Sequence, residues 1–96
     1  MCKITYFLIR TCPYCIHANR AIVELREENA AYRELEIEKV YEEDSPDVIA
    51  HYDYYYVPCM FLGDAKIYEA DPAQNYADIK ACVKRVFDLA LQTEQD

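Results

Sequence analysis

Lys3-Ile4-Thr5-Tyr6-Phe7-Leu8-Ile9, followed at once by Arg10-Thr11-Cys12-Pro13-Tyr14-Cys15, is the stretch that decides the fold. The run before Arg10 is β-branched and aromatic with almost no polar interruption, the pattern of a strand buried on both faces in a parallel sheet. Proline fits the first position of a helix, where its missing N–H costs nothing. From Pro13 to about Asn29, small and apolar residues recur at Ala18, Ala21, Ile22 and Leu25. The expected element is an amphipathic helix that opens at the cysteine pair.

Outward from there, Tyr32 to Glu38 alternates, with Leu35 and Ile37 on one side and Glu34, Glu36 and Glu38 on the other. That predicts a second strand with one wet face, at or near a sheet edge. Two strands joined by one helix in so short a span imply a right-handed parallel βαβ unit. Ser45-Pro46 is a cap and first-turn signature for a short second helix with Val48, Ile49 and Tyr52 on its apolar face. Val57 to Leu62 and Ala65 to Glu69 flank Gly63-Asp64, which predicts an antiparallel hairpin with positive φ at the glycine. Asp71-Pro72 repeats the cap signature, and Tyr76, Ile79, Val83, Val86, Phe87 and Ala90 trace one stripe of a third helix reaching about Leu91. The order is β-α-β-α-β-β-α, an α/β fold in one domain spanning residues 1–96.

At 96 residues, the chain has room for one sheet covered by helices but not for two independent cores. Hydrophobic residues make up 53%, a globular proportion, and only the polar end from Thr93 to Asp96 reads as poorly ordered. The net charge of -8 argues against nucleic-acid binding, which needs clustered Lys and Arg against phosphates. The apolar run at the N-terminus is too short to span a bilayer and has no small-residue cleavage site. The expectation is a soluble cytoplasmic monomer without a membrane partner.

There are five cysteines, an odd number that fits poorly with a structural disulfide framework. Only Cys12 and Cys15 are closely spaced. A thiol attacks a disulfide as its thiolate, and a helix N-terminus offers free N–H groups and positive potential to that anion. Cys12 stands at such an end, Arg10 brings a positive charge close by, and Cys15 follows one turn later, more covered by the helix. The roles expected are attacking nucleophile for Cys12 and resolving thiol for Cys15. Cys2, Cys59 and Cys82 read as small hydrophobes. His17 and His51 lack the paired spacing of closed zinc sites, so no metal is expected. Two other readings use the same residues. In one the pair supplies ligands to a zinc or iron–sulfur site; in the other the thiols are inert and Tyr52, Tyr54, Tyr55 and Tyr56 form a docking face.

Thr11-Cys12-Pro13-Tyr14-Cys15 resembles the active site of the glutaredoxin family, in which C-P-Y-C is the dithiol form, and the resemblance covers nearly the whole chain. Val57-Pro58 resembles the family's second landmark, a cis-proline beside the cysteines. The resemblance implies a thioredoxin-like fold, a four-stranded mixed sheet flanked by three helices. It implies a pocket shaped by Tyr14, a substrate backbone aligned by Val57 and Pro58, and Arg10 and Thr11 tuning the thiolate or meeting a carboxylate. Asp71 would touch an amine. It implies no tightly bound cofactor, glutathione as co-substrate, and disulfide-containing proteins as partners. The chain departs from the family in carrying Ile9 where a lysine is usual. It has Tyr68-Glu69-Ala70-Asp71 where a glycine pair and aspartates are usual, and Gly63 is the only glycine. Bulk and negative charge there disfavour an anionic tripeptide. The rival within the class is a redoxin that draws electrons from a flavoprotein and serves one protein partner.

Overall fold

The computed structural model describes residues 2–93. Strand β1 (Ile4–Leu8) runs into helix α1 (Pro13–Glu28), then a 3-10 helix (Ala30–Glu34), β2 (Ile37–Tyr41), α2 (Pro46–Ile49), β3 (Cys59–Leu62), β4 (Ala65–Glu69) and α3 (Tyr76–Gln92). The sheet order is β2-β1-β3-β4, with β1 and β2 parallel and both β1–β3 and β3–β4 antiparallel. The sheet is mixed, as expected, and β2 lies at its edge.

Every residue of β1 is buried because the sheet is covered on both sides. Ile4, Tyr6 and Leu8 join Met60, Leu62 and Tyr68 beneath α1 and α3, where Ala18, Ile22, Leu25, Ile79, Val83 and Phe87 close the larger core. On the other face Phe7, Val40, Cys59 and Phe61 form a smaller core covered by Ile49, Tyr52 and Tyr54. The period-2 alternation of β1 and β3 thus feeds two cores at once. Phe7 lies within 4.7 Å of the Tyr52 ring centre and 5.0 Å of Tyr54. Three of the clustered tyrosines therefore differ in fate: Tyr54 covers this core, whereas Tyr55 and Tyr56 are exposed.

Two sequence expectations are corrected. The strand expected over 32–38 begins only at Ile37, and Tyr32 is the buried residue of a 3-10 helix. Local polar bonds override the alternation there. Asn29 accepts from the Ala31 amide, Arg26 donates to the Leu35 carbonyl, and Arg33 donates back to the Arg26 carbonyl. Tyr32 packs on Phe87, ring centres 5.2 Å apart, and donates its hydroxyl to Asp88. Leu35 still reaches the core, but from outside the strand. The second correction concerns α3. Asp71-Pro72 does not cap it, because a capping box on Asn75 and Asp78 four residues later starts the helix instead. The hairpin holds as expected, with Gly63 at φ +59°. The reading of the C-terminal end beyond Thr93 as poorly ordered lies outside the described residues.

Candidate active site

Cys12 is the N-cap of α1 and Pro13 its first helical residue, so the thiol sits where the first-turn amides have no backbone acceptor. The Cys12 carbonyl already accepts from Ile16 N–H at 3.1 Å, which fixes the cap. Cys12 is half-buried, and its Sγ donates to the Val57 carbonyl at 3.8 Å. The Val57–Pro58 peptide is cis. The two stretches singled out in the sequence, 45 residues apart, are therefore in contact. Pro58 is buried, and its carbonyl accepts from Ala70 N–H at 3.0 Å, which ties the segment to the end of β4.

Cys15 is 1% exposed, beneath Cys12 and against the larger core. Burial pushes its thiol up to about 12, and the neighbouring Cys12 adds to the shift. All five cysteines are free thiols. Under this pair lies Tyr6, whose hydroxyl donates to Asn19 Oδ1 at 2.9 Å and to the Cys15 carbonyl at 3.4 Å. Burial raises the Tyr6 phenol well above its ordinary value, so it remains a donor throughout the neutral range. Neither Tyr6 nor Asn19 carries a motif, and only their spacing from the cysteine pair could have drawn notice to them.

The remaining predicted residues spread around this centre. Tyr14 donates its hydroxyl to the Pro72 carbonyl at 2.8 Å, joining the cysteine motif to the loop before α3. Thr11 is exposed beside Cys12. The Arg10 guanidinium grips Asp44 through two bonds of 2.6 and 3.2 Å, lies 3.8 Å from Glu43, and stacks 4.1 Å over the Tyr41 ring. It is engaged with β2 and the turn after it. Asp71 Oδ1 accepts from Ala73 N–H at 2.9 Å, which closes a turn. Gln74 then orders the same loop, accepting from Tyr68 and from Asp71 N–H, each at 3.2 Å.

Cys59, directly after Pro58, points to the opposite face of the sheet from Cys15, into the smaller core. It is fully buried, and burial pushes its thiol up to about 12. Cys2 is also buried, while Cys82 is half-buried and accepts from the Gln74 amide at 3.3 Å. Among the described residues no group of three or more His, Cys, Asp or Glu side chains is placed to hold a metal ion. Among the described residues no helix is long and apolar enough to cross a membrane.

No protein-family model and no curated protein matches the chain. Solved structures do. Thioredoxin 1 from the thermophilic eubacterium Thermosipho africanus is similar at a TM-score of 0.57 and 17% identity, covering 91% of this chain and 96% of that one. A malarial protein is similar at a TM-score of 0.56 and 14% identity, covering 85% of this chain and 92% of the other. At such identities the likeness is one of fold, and it agrees with the element order and mixed sheet described above. The chain has a thioredoxin-like α/β fold.

Proposed function

We propose that the protein is a thiol–disulfide oxidoreductase of the glutaredoxin kind, with Cys12 as nucleophile and Cys15 as resolving thiol. The observation that carries this reading is the half-buried Cys12 sulfur at a helix N-terminus, touching the Val57 carbonyl before a cis-proline, with Cys15 one turn behind it. In the first step the Cys12 thiolate attacks one sulfur of a substrate disulfide, whose S–S bond breaks; the departing thiolate takes up a proton. A Cys12–substrate mixed disulfide remains. Cys15 loses its proton and attacks Cys12 Sγ, releasing the second substrate thiol and leaving a Cys12–Cys15 disulfide. The substrate gains two electrons and the protein loses them. A dithiol, or two equivalents of a monothiol such as glutathione, returns the pair to the reduced form.

The unequal burial of the two cysteines supports these roles. An incoming disulfide meets Cys12, whereas Cys15, 1% exposed and held protonated, reacts only with a sulfur already delivered to Cys12. Val57 aligns the substrate chain through its backbone, and the buried Pro58 holds that peptide in place beside Cys12. Thr11 and Tyr14 border the same surface. Asp71 and Arg10 are proposed to meet charged ends of the substrate only when it displaces their present partners, Ala73 N–H and Asp44.

A redoxin that draws electrons from a flavoprotein is the second reading. It is favoured by the end of β4, where Tyr68 fills the core and Glu69 is bonded to Lys66, in place of the glycine pair of the resembled family. The test is reduction of a small glutathione mixed disulfide by wild-type protein, Cys12→Ser and Cys15→Ser, with glutathione or a flavoprotein reductase as electron source. Activity is expected in wild type and absent in Cys12→Ser. Cys15→Ser is expected to accumulate a mixed disulfide visible as added mass. Equal turnover in wild type and Cys12→Ser refutes the reading, and turnover with the reductase alone selects the second one.

A further inference from the structure

Glu69 closes β4, and its carboxylate reaches across to the segment that leads into the cis-proline. One oxygen, Oε2, accepts from two consecutive backbone amides, Tyr55 N–H at 2.5 Å and Tyr56 N–H at 2.9 Å. The other, Oε1, accepts from Lys66 Nζ at 2.8 Å. The pair is well covered for a surface ion pair, with side-chain exposures of 20% for Glu69 and 36% for Lys66. Directly beyond Tyr56 comes Val57, whose carbonyl touches the Cys12 sulfur. On the next residue, Pro58 O accepts from Ala70 N–H, so the stretch is tied to β4 both before and after Val57. With their amides turned inward to Glu69, Tyr55 and Tyr56 are 84% and 56% exposed.

We infer that Glu69 is a positioning residue: its carboxylate clamps the Tyr55–Tyr56 backbone and so fixes the Val57 edge on which an extended polypeptide disulfide aligns beside Cys12. This inference rests on the oxidoreductase reading above and adds a substrate class to it. A carboxylate accepting two backbone amides is a charge-assisted bond pair, stronger than neutral bonds, and Lys66 orients it. Substrates that need the backbone edge depend on the clamp. Small disulfides without a peptide backbone need only the cysteine pair.

The test compares wild type, Glu69→Ala, Glu69→Gln and Cys12→Ser on a disulfide between two extended peptides and on hydroxyethyl disulfide. Glu69→Ala is expected to lower kcat/KM for the peptide disulfide about tenfold, chiefly through KM, because misplacing a positioned group loses one to two orders of magnitude. Hydroxyethyl disulfide reduction and alkylation of Cys12 by iodoacetamide are expected to stay within about twofold of wild type. Glu69→Gln keeps a carbonyl oxygen for both amides and is expected to retain peptide-disulfide activity within about threefold. Hydrogen exchange reads the clamp without any turnover: the Tyr55 and Tyr56 amides are expected to be protected in wild type and in Glu69→Gln, and open in Glu69→Ala. The inference is overturned if Glu69→Ala handles the peptide disulfide like wild type, or if it loses both substrates and alkylation equally. Activity that survives Cys12→Ser refutes the oxidoreductase reading itself, whereas an indifferent Glu69→Ala alongside a dead Cys12→Ser refutes only the clamp.

Discussion

Cys59 gives the fold a pH dependence that can be worked out in advance. Its side chain is fully buried among Phe7, Val40 and Phe61, and burial lifts the thiol from 9.0 to about 12. That value includes a smaller upward push from Glu69 and the opposing pull of Lys66. Below pH 9 the folded and unfolded chains both hold the proton, and the full contribution of the neutral thiol is present. Above pH 9 the unfolded chain releases the proton while the folded chain retains it. Stability therefore falls with rising pH at up to about 1.4 kcal/mol per pH unit, until the folded value near 12 is passed. By pH 10.5 the loss due to this one thiol is roughly 2 kcal/mol. Burial also raises Cys15, Tyr6 and Tyr68, which add to the same alkaline loss, so the readout is a difference between wild type and Cys59→Ala. Urea unfolding at half-unit steps from pH 7 to 10.5 supplies it. Cys59→Ala is expected to be less stable than wild type by a constant amount up to pH 9, since a buried side chain has been truncated. Above pH 9 the gap is expected to narrow by roughly 2 kcal/mol. A gap of constant width across the whole range would refute the burial argument for Cys59.

Three further substitutions probe other parts of the frame. Tyr6→Phe deletes the buried hydroxyl that donates to Asn19 and the Cys15 carbonyl, and urea unfolding is expected to show a loss of about 1 kcal/mol. Asn75→Ala removes the side chain that accepts from Asp78 N–H in the capping box, with an expected cost of about 1 kcal/mol and increased amide exchange in the first turn of α3. Gly63→Ala meets no atom within 4 Å, so its expected cost, about 1 kcal/mol in thermal unfolding, comes from the left-handed φ of +59° alone.

The parts of the fold that followed simple periodicity were readable from the chain. The all-apolar run Ile4–Leu8 is buried on both faces, the stripe from Ile79 to Ala90 faces the larger core, and Gly63-Asp64 turns the hairpin. In these stretches local preference and tertiary burial ask for the same conformation. Around Tyr32 they conflict: the alternation of Leu35 and Ile37 with glutamates suits a strand, but Asn29, Arg26 and Arg33 satisfy the backbone in a 3-10 turn. Side-chain bonds of that kind have no period and leave no pattern to read. The same holds at α3, where Asp71 forms a turn with Ala73 N–H and leaves the helix start to Asn75. At the candidate site, the cysteine pair stood out by its spacing, whereas the partners of Arg10 left no mark in the sequence. Its guanidinium is bound to Asp44 and lies over Tyr41.

Glu69 was hidden by a register shift. A regular two-residue hairpin at Gly63-Asp64 pairs Leu62 with Ala65 and Phe61 with Lys66, as observed, and would continue to pair Met60 with Ile67 and Cys59 with Tyr68. The ladder instead has an irregularity between Met60 and Phe61, after which Met60 pairs with Tyr68 and Cys59 with Glu69. One extra residue on β4 exchanges the faces of everything beyond it. Tyr68 thereby enters the larger core with Met60, under α3. Glu69 turns to the Cys59 side, where the segment before Pro58 passes. The same shift explains the ion pair: residues three apart on an unbroken strand point to opposite faces, yet Lys66 and Glu69 meet at 2.8 Å. A bulge thus supplies both the ring that fills the core and the carboxylate that holds the Tyr55 and Tyr56 amides, and counting along β4 as a regular strand assigns each of them to the wrong side.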